Sequence, residues 1–176
     1  MEVERSQHEW DDNSVLPVSV IVAREADQPE GEQWRVQGVV IGQRFASDEI
    51  RSLQMRSAPE GDLYMWMGYQ LRLRKASVED YAYNVNSPTP TVFVVSRQTP
   101  EGLRPLQVTV SLDEAQNLEA TDLRSADETV HRVAMPPEVF RWLERFVLDH
   151  YVPRKRRRRF SSRQDNKSLF DAEVNE

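Results

Sequence analysis

The run Met135-Pro-Pro-Glu-Val-Phe-Arg-Trp-Leu-Glu-Arg-Phe-Val-Leu-Asp-His-Tyr-Val152 constrains the fold of this chain more than any other stretch. Val139, Trp142, Leu143, Phe146, Val147 and His150 recur at helical spacing and gather on one face. Glu138, Arg141, Glu144, Arg145 and Asp149 take the other side. Pro137 suits the first helical turn, where an N–H would be unpaired anyway. The stretch is an amphipathic helix, and its apolar face must be buried against something.

The segments upstream supply that something, and they read as short strands. Residues 15–22 form a nearly continuous β-branched run, with Pro17 pushing the strand toward a sheet edge or making its first residues irregular. A polar loop leads to residues 34–41, with Trp34, Val36, Gly38 and Val40 on one face. Residues 63–74 show the clearest period of two, with Tyr69, Leu71 and Leu73 alternating against Gln70, Arg72 and Arg74, and Gly68 marking a bulge or bend. Residues 81–85 alternate as Tyr81, Tyr83 and Val85, a fourth strand. Residues 91–97 are apolar on both faces, as a central strand is, and 106–110 and 130–134 complete the set. Residues 47–55 read either as a short helix started by Ser47 or as a looped insertion. Ser111-Leu-Asp-Glu114 is a capping box that opens a short helix to about residue 118.

Six or seven antiparallel strands followed by a helix argue against a doubly wound parallel sheet. The expected class is α+β, mainly β: a curled antiparallel sheet or partial barrel closed by the C-terminal amphipathic helix. The order of elements resembles the pleckstrin-homology type of barrel, an analogy of fold that says nothing about ligand.

A length of 176 residues gives one folded domain, placed at 15–152. Residues 1–14 read as a flexible acidic arm and 153–176 as a basic, largely disordered tail. The formal net charge of −6 hides this division. Residues 153–176 hold eight Lys/Arg and four Asp/Glu, so the tail is +4 and the remainder −10. No cysteine is present, which removes disulfides, thiol nucleophiles and cysteine-bound metals. The first residues are acidic where a signal peptide is basic and then apolar, and no apolar run is long enough to span a membrane. The expected compartment is the cytoplasm.

Catalytic chemistry finds little purchase. His8, His131 and His150 are widely spaced, and packing or helix capping suits them better than metal ligation. The acidic pairs, Asp48-Glu49, Glu79-Asp80 and Asp113-Glu114 among them, sit in turns or helix starts. Catalytic carboxylates must instead converge in space with their pKa values pushed apart. No phosphate loop or nucleophile elbow appears. An enzyme is not expected, nor is a cofactor or a metal site. Trp34, Tyr64, Trp66, Tyr69, Tyr81, Tyr83 and Phe93 suit a core better than a nucleic-acid stacking platform.

The tail carries the candidate binding residues. Arg154, Lys155, Arg156, Arg157, Arg158 and Arg159 form a block able to meet phosphate, anionic lipid or an acidic protein surface. The same block equally fits a solvated tail, or one folded back on its own acidic body. Leu169 and Phe170, with Ser168 as a cap, suit a short helix docking in a partner's groove. A protein partner is favoured over nucleic acid, because the acidic body opposes a polyanion.

Residues 16–24, 34–40, 81–87, 91–97 and above all Val133-Ala-Met-Pro-Pro-Glu-Val-Phe-Arg-Trp-Leu through His150-Tyr-Val-Pro153 resemble a bacterial domain-of-unknown-function family, number 3305 in its series. The resemblance covers roughly residues 15–153. Genes of that family often lie beside those of molybdenum-dependent formate dehydrogenase and its accessory proteins. The resemblance thus implies a non-catalytic role in assembling, docking or regulating such an enzyme, with one of its subunits or maturation factors as partner. It supplies no catalytic residues. The alternative is a nucleic-acid-associated protein acting through the arginine-rich tail.

Overall fold

The computed structural model of the chain describes residues 14–26, 29, 31–116 and 128–154. Seven strands and three α-helices occur among them: β1 (Val15–Glu25), β2 (Gln33–Ile41), β3 (Arg51–Ala58), β4 (Gly61–Arg72), α1 (Val78–Val85), β5 (Thr91–Thr99), β6 (Gly102–Thr109), α2 (Leu112–Gln116), β7 (Glu128–Ala134) and α3 (Pro137–His150). All strand pairs are antiparallel. They make a four-stranded sheet ordered β2-β1-β4-β3 and a three-stranded sheet ordered β6-β5-β7. Neither sheet closes on itself, and the terminal helix contributes to the core that the two share: the mainly antiparallel α+β class read from the sequence.

One core lies between the two sheets. Val18, Val20 and Val22 of β1 meet Tyr69 and Leu71 of β4, Val92 and Val94 of β5, and Val108 of β6. α3 adds Val139, Leu143 and Val147, all buried, with Trp142 and Phe146 packed beside them. This is the apolar face expected for the helix. At its C-terminal end His150 stands edge-on to Phe146, with ring centroids 4.4 Å apart. The Tyr69 hydroxyl donates to the Pro105 carbonyl at 2.6 Å, tying β4 to β6. Burial pushes its pKa up to about 12, so it stays a neutral donor.

Bulges decide which residues face inward. Val18 pairs with Tyr69 and Val20 with Trp66, so Ser19 faces two residues of β4, Met67 and Gly68. Gly68 has φ +99, and a Cβ there would lie 2.5 Å from the Glu49 carbonyl oxygen. Only glycine fits both the backbone and the space. A second bulge, at Gln37 of β2, corrects the expected face of that strand. Val36 and Val39 are the buried residues there, because the extra residue shifts the alternation by one. Of the two outcomes expected for Pro17, the sheet edge is not found, since β1 is a central strand, and an irregular start is. Its pairing with β2 begins only at Val18, so the missing N–H costs no ladder bond on that side.

Two segments change type. Residues 81–85, read as a strand, belong to helix α1: Tyr81, Ala82 and Asn84 are buried while Tyr83 is 78% exposed. Asn84 fixes the helix to the sheet. Its Nδ2 donates to the carbonyls of Thr91 (2.8 Å) and Val110 (2.7 Å), and its Oδ1 accepts from Thr91 N–H (2.9 Å). Residues 47–55, read as helix or loop, instead contain the start of strand β3. The ladder edge offered by β4 supplies what the local sequence lacks.

Candidate functional site

Of the tail residues singled out from the sequence, Arg154 is described and the rest, Lys155, Arg156, Arg157, Arg158, Arg159, Leu169 and Phe170, lie outside the described residues. Arg154 Nε sits 3.2 Å from Glu79 Oε1 on α1, both side chains being largely exposed. The first arginine of the block thus meets the chain's own acidic surface. The pair is too solvated to hold much by itself.

The surface that sequence reasoning missed is β3. It forms one edge of the four-stranded sheet, and Arg51 to Ser57 are exposed on both faces. Trp66 of β4 packs against the core, so its neighbours Met65 and Met67 point to the outer side, where both are buried. Leu53 lies opposite Met65 and Arg51 opposite Met67. Leu53 is 55% exposed, Met55 49% and Ile50 48%. Leu53 thus continues the buried methionine pair out to the sheet edge, with Ile50 and Met55 exposed near it in the chain. Arg51 and Arg56 flank Leu53 and Met55 on the strand, and Asp48 and Glu49 precede Ile50. Met55 is an extra residue between Gln54 and Arg56, a bulge after which pairing resumes with Arg56 opposite Leu63.

Local geometry fixes this edge. Ser47 Oγ donates to the Glu49 carbonyl at 2.7 Å and accepts from Glu49 N–H at 3.3 Å, turning the chain. The turn then crosses over Gly68, where the missing side chain leaves room. Ser19 Oγ donates to the Phe45 carbonyl at 3.0 Å and anchors the preceding segment to the sheet. The alternation of Leu53 and Met55 with polar neighbours was the signal available in the sequence.

Two polar clusters are structural in geometry. Where α1 meets α2, Glu114 accepts from Thr109 Oγ1 (2.7 Å), Ser77 Oγ (3.3 Å) and the Tyr81 hydroxyl (3.3 Å). Burial, reinforced by that carboxylate, pushes Tyr81 up to about 12. Half of the expected capping box forms: Glu114 N–H donates to Ser111 Oγ at 3.0 Å, while the Glu114 side chain turns to this cluster instead of back to Ser111 N–H. Ser111 Oγ in turn donates to Asp80. At the other end of the sheet, Arg24 bridges Asp62 and Glu32. A hydrogen bond from Ser57 and then Arg24 hold the Asp62 carboxyl below the usual range, against the opposing effect of burial. Both clusters tie separate elements together, Glu114 joining α1, α2 and β6 and Arg24 joining β1 to β4. Among the described residues no group of three or more His, Asp or Glu is placed to hold a metal ion. None of the described helices is long and apolar enough to cross a membrane.

An open groove of about 720 Å³ lies where β5 and β7 meet the start of α3. Pro90, Met135, Pro137 and Phe140 contribute its apolar lining, and Arg132 and Arg141 its charge.

A model of a family described as "Protein of unknown function (DUF3305)" matches residues 1–159. The chain belongs to that family. The match runs beyond the 15–153 covered by the resemblance, taking in the N-terminal arm and the whole arginine block. No curated protein and no solved structure matches the chain. The pleckstrin-homology likeness of this DUF3305 chain accordingly rests on element order alone.

Proposed function

We propose that this chain is a non-catalytic interaction module of the cytoplasm, that it docks on a protein partner through the β3 edge, and that the partner is a formate dehydrogenase-type molybdoenzyme or one of its maturation factors. The observation that carries the docking surface is the exposure of Leu53 and Met55 on the β3 edge, and of Ile50 just before it, with Arg51 and Arg56 on the same strand. Three large apolar side chains half-exposed within six residues at a sheet edge suit a surface that meets another molecule. An unpaired strand edge can also accept an extended segment of a partner by backbone hydrogen bonding. The flanking arginines, on a body that is otherwise acidic, favour an occupant that is apolar with acidic residues beside it. The identity of the partner rests on the family resemblance, and the arginine block extends the basic character available to an acidic partner.

The test is affinity capture from the native host grown on formate, using the full chain and its Leu53→Asp variant. Formate dehydrogenase subunits or maturation factors should be captured by the first and lost with the second. Capture of those proteins undiminished by Leu53→Asp would remove β3 from the reading. Recovery of only RNA and ribosomal proteins, abolished by neutralising residues 154–159, would replace it with the nucleic-acid alternative.

A further inference from the structure

The groove at the start of α3 has a composition unlike that of the β3 edge. Its floor is stiff: Met135 N–H donates to the Pro90 carbonyl at 3.2 Å, and Phe140 N–H to the Pro136 carbonyl at 3.0 Å. Arg132 reaches it from β7, with its guanidinium over the Phe93 ring at 5.7 Å, and Arg141 reaches it from the first turns of α3. Neither arginine forms an ion pair with a described residue, whereas Arg24, Arg35, Arg97 and Arg154 all do. An apolar trough bordered by two uncommitted guanidinium groups fits a segment that carries apolar and acidic side chains together.

We propose that this groove is the docking site of the chain's own residues 168–176. That segment holds Leu169, Phe170 and Val174 together with Asp171, Glu173 and Glu176, and no basic residue. Residues 155–167 are strongly basic and have the wrong charge for the site. Reach permits the contact. α3 ends at His150 with Arg154 four residues beyond it, and a 14-residue helix is about 21 Å long. The fifteen residues from Arg154 to Leu169 span up to about 50 Å when extended. A tethered segment is also present at high effective concentration, so a modest intrinsic affinity suffices to keep the groove filled. The same basic linker would be drawn along the acidic side of α1, where Arg154 already meets Glu79. This inference goes beyond the β3 reading and does not depend on it.

The experiment is a comparison of backbone amide NMR spectra of the full chain and its Leu169→Ser/Phe170→Ser variant, which leaves every described core residue untouched. The amides of residues 132–141 should shift between the two, by amounts independent of protein concentration. A synthetic peptide of residues 166–176, added to the double variant, should move the same amides back toward their wild-type positions. Arg132→Glu/Arg141→Glu in the full chain should reproduce the shifts of the tail variant, and adding Asp171→Arg/Glu173→Arg to it should partly reverse them. Unchanged amides at 132–141 would overturn the proposal. So would shifts confined to β3 or α1, or shifts that vanish on dilution, which would assign the groove to the tail of a second copy.

Discussion

On the three-stranded sheet, the face turned away from the core carries Phe93 and Val95 of β5 and Val130 of β7, and α2 lies over it with Leu112 and Ala115. On the four-stranded sheet, the corresponding face carries Met65 and Met67 of β4 and ends in Leu53 of β3. There the cover is the segment 42–50, which stops short of the edge. The first face is a small closed core: Phe93 is 5% exposed, Val95 and Ala115 not at all. The second is closed in the middle and open at its rim. A short helix suffices to seal a sheet face when a capping residue opens it and it supplies a small side chain for close approach, as Ser111 and Ala115 do. The 42–50 segment forms no α-helix over its sheet, only a short 3-10 turn at Gln43–Phe45 and the Ser47 turn, and Leu53 beyond it is left exposed.

The contrast breaks most readily at Phe93. Truncation to alanine should destabilise the fold by about 3–5 kcal/mol, as expected for a buried aromatic whose cavity cannot fill. Urea denaturation of the full chain measures it. A loss below about 1 kcal/mol would mean that α2 is not sealing the face.

The second prediction concerns the cover over the four-stranded sheet. Gly68→Ala places a Cβ at positive φ and against the Glu49 carbonyl, so a loss of about 1–3 kcal/mol is expected from the backbone strain alone. The change should also release the segment 46–50. Faster amide exchange there, relative to α2, would show that the two covers are independent.

A third prediction uses pH. His131 of β7 pairs with Val94, which puts it on the core side of the three-stranded sheet, and its Nε2 is buried without a hydrogen-bond partner. Burial lowers its pKa from the ordinary value of 6.5. The unfolded chain then takes up a proton at a higher pH than the folded one does. Stability is therefore complete above about pH 6.5 and falls as pH drops below it, until the folded protein also protonates. His131→Leu should flatten the dependence of Tm on pH between 7.5 and 5.5 relative to wild type. An identical slope in both proteins would place the acid sensitivity elsewhere.

These differences also mark what the sequence could reveal. The helix at 137–150, the alternation in β4 and the doubly apolar β5 were legible because burial acts on each along its whole length. Residues 81–85 misled because Tyr81, Tyr83 and Val85 alternate by chance within a helix of eight residues. What decides their state is remote: Asn84 bonding to Thr91 and Val110, and Tyr81 to Glu114. In β2 a single extra residue, Gln37, moved the inward face from Gly38 and Val40 to Val39. β3 is a strand only because β4 offers it an edge, and its pattern of Leu53 and Met55 between polar residues was too short to outweigh the Ser47 turn before it. The candidate surface was obscured for the same reason. An exposed apolar edge is recognisable only once its neighbours are known to be buried.

The smallest expected change in stability is the one that bears most on function. Leu53 is more than half exposed, so Leu53→Asp should alter the unfolding free energy by no more than about 0.5 kcal/mol. Its charge would stand between Arg51 and the bulge at Met55, where solvent remains available to hydrate it. If β3 were merely an unfinished edge, nothing else would follow from the substitution. If it is a docking strand, the same change puts an unpaired carboxylate in the middle of a desolvated contact and should cost most of the affinity for the partner. Measuring thermal stability and partner capture on one preparation separates the two cases. An unchanged Tm with capture lost assigns the open rim to recognition, whereas a Tm lowered as far as that of Phe93→Ala would show that the two faces are sealed alike.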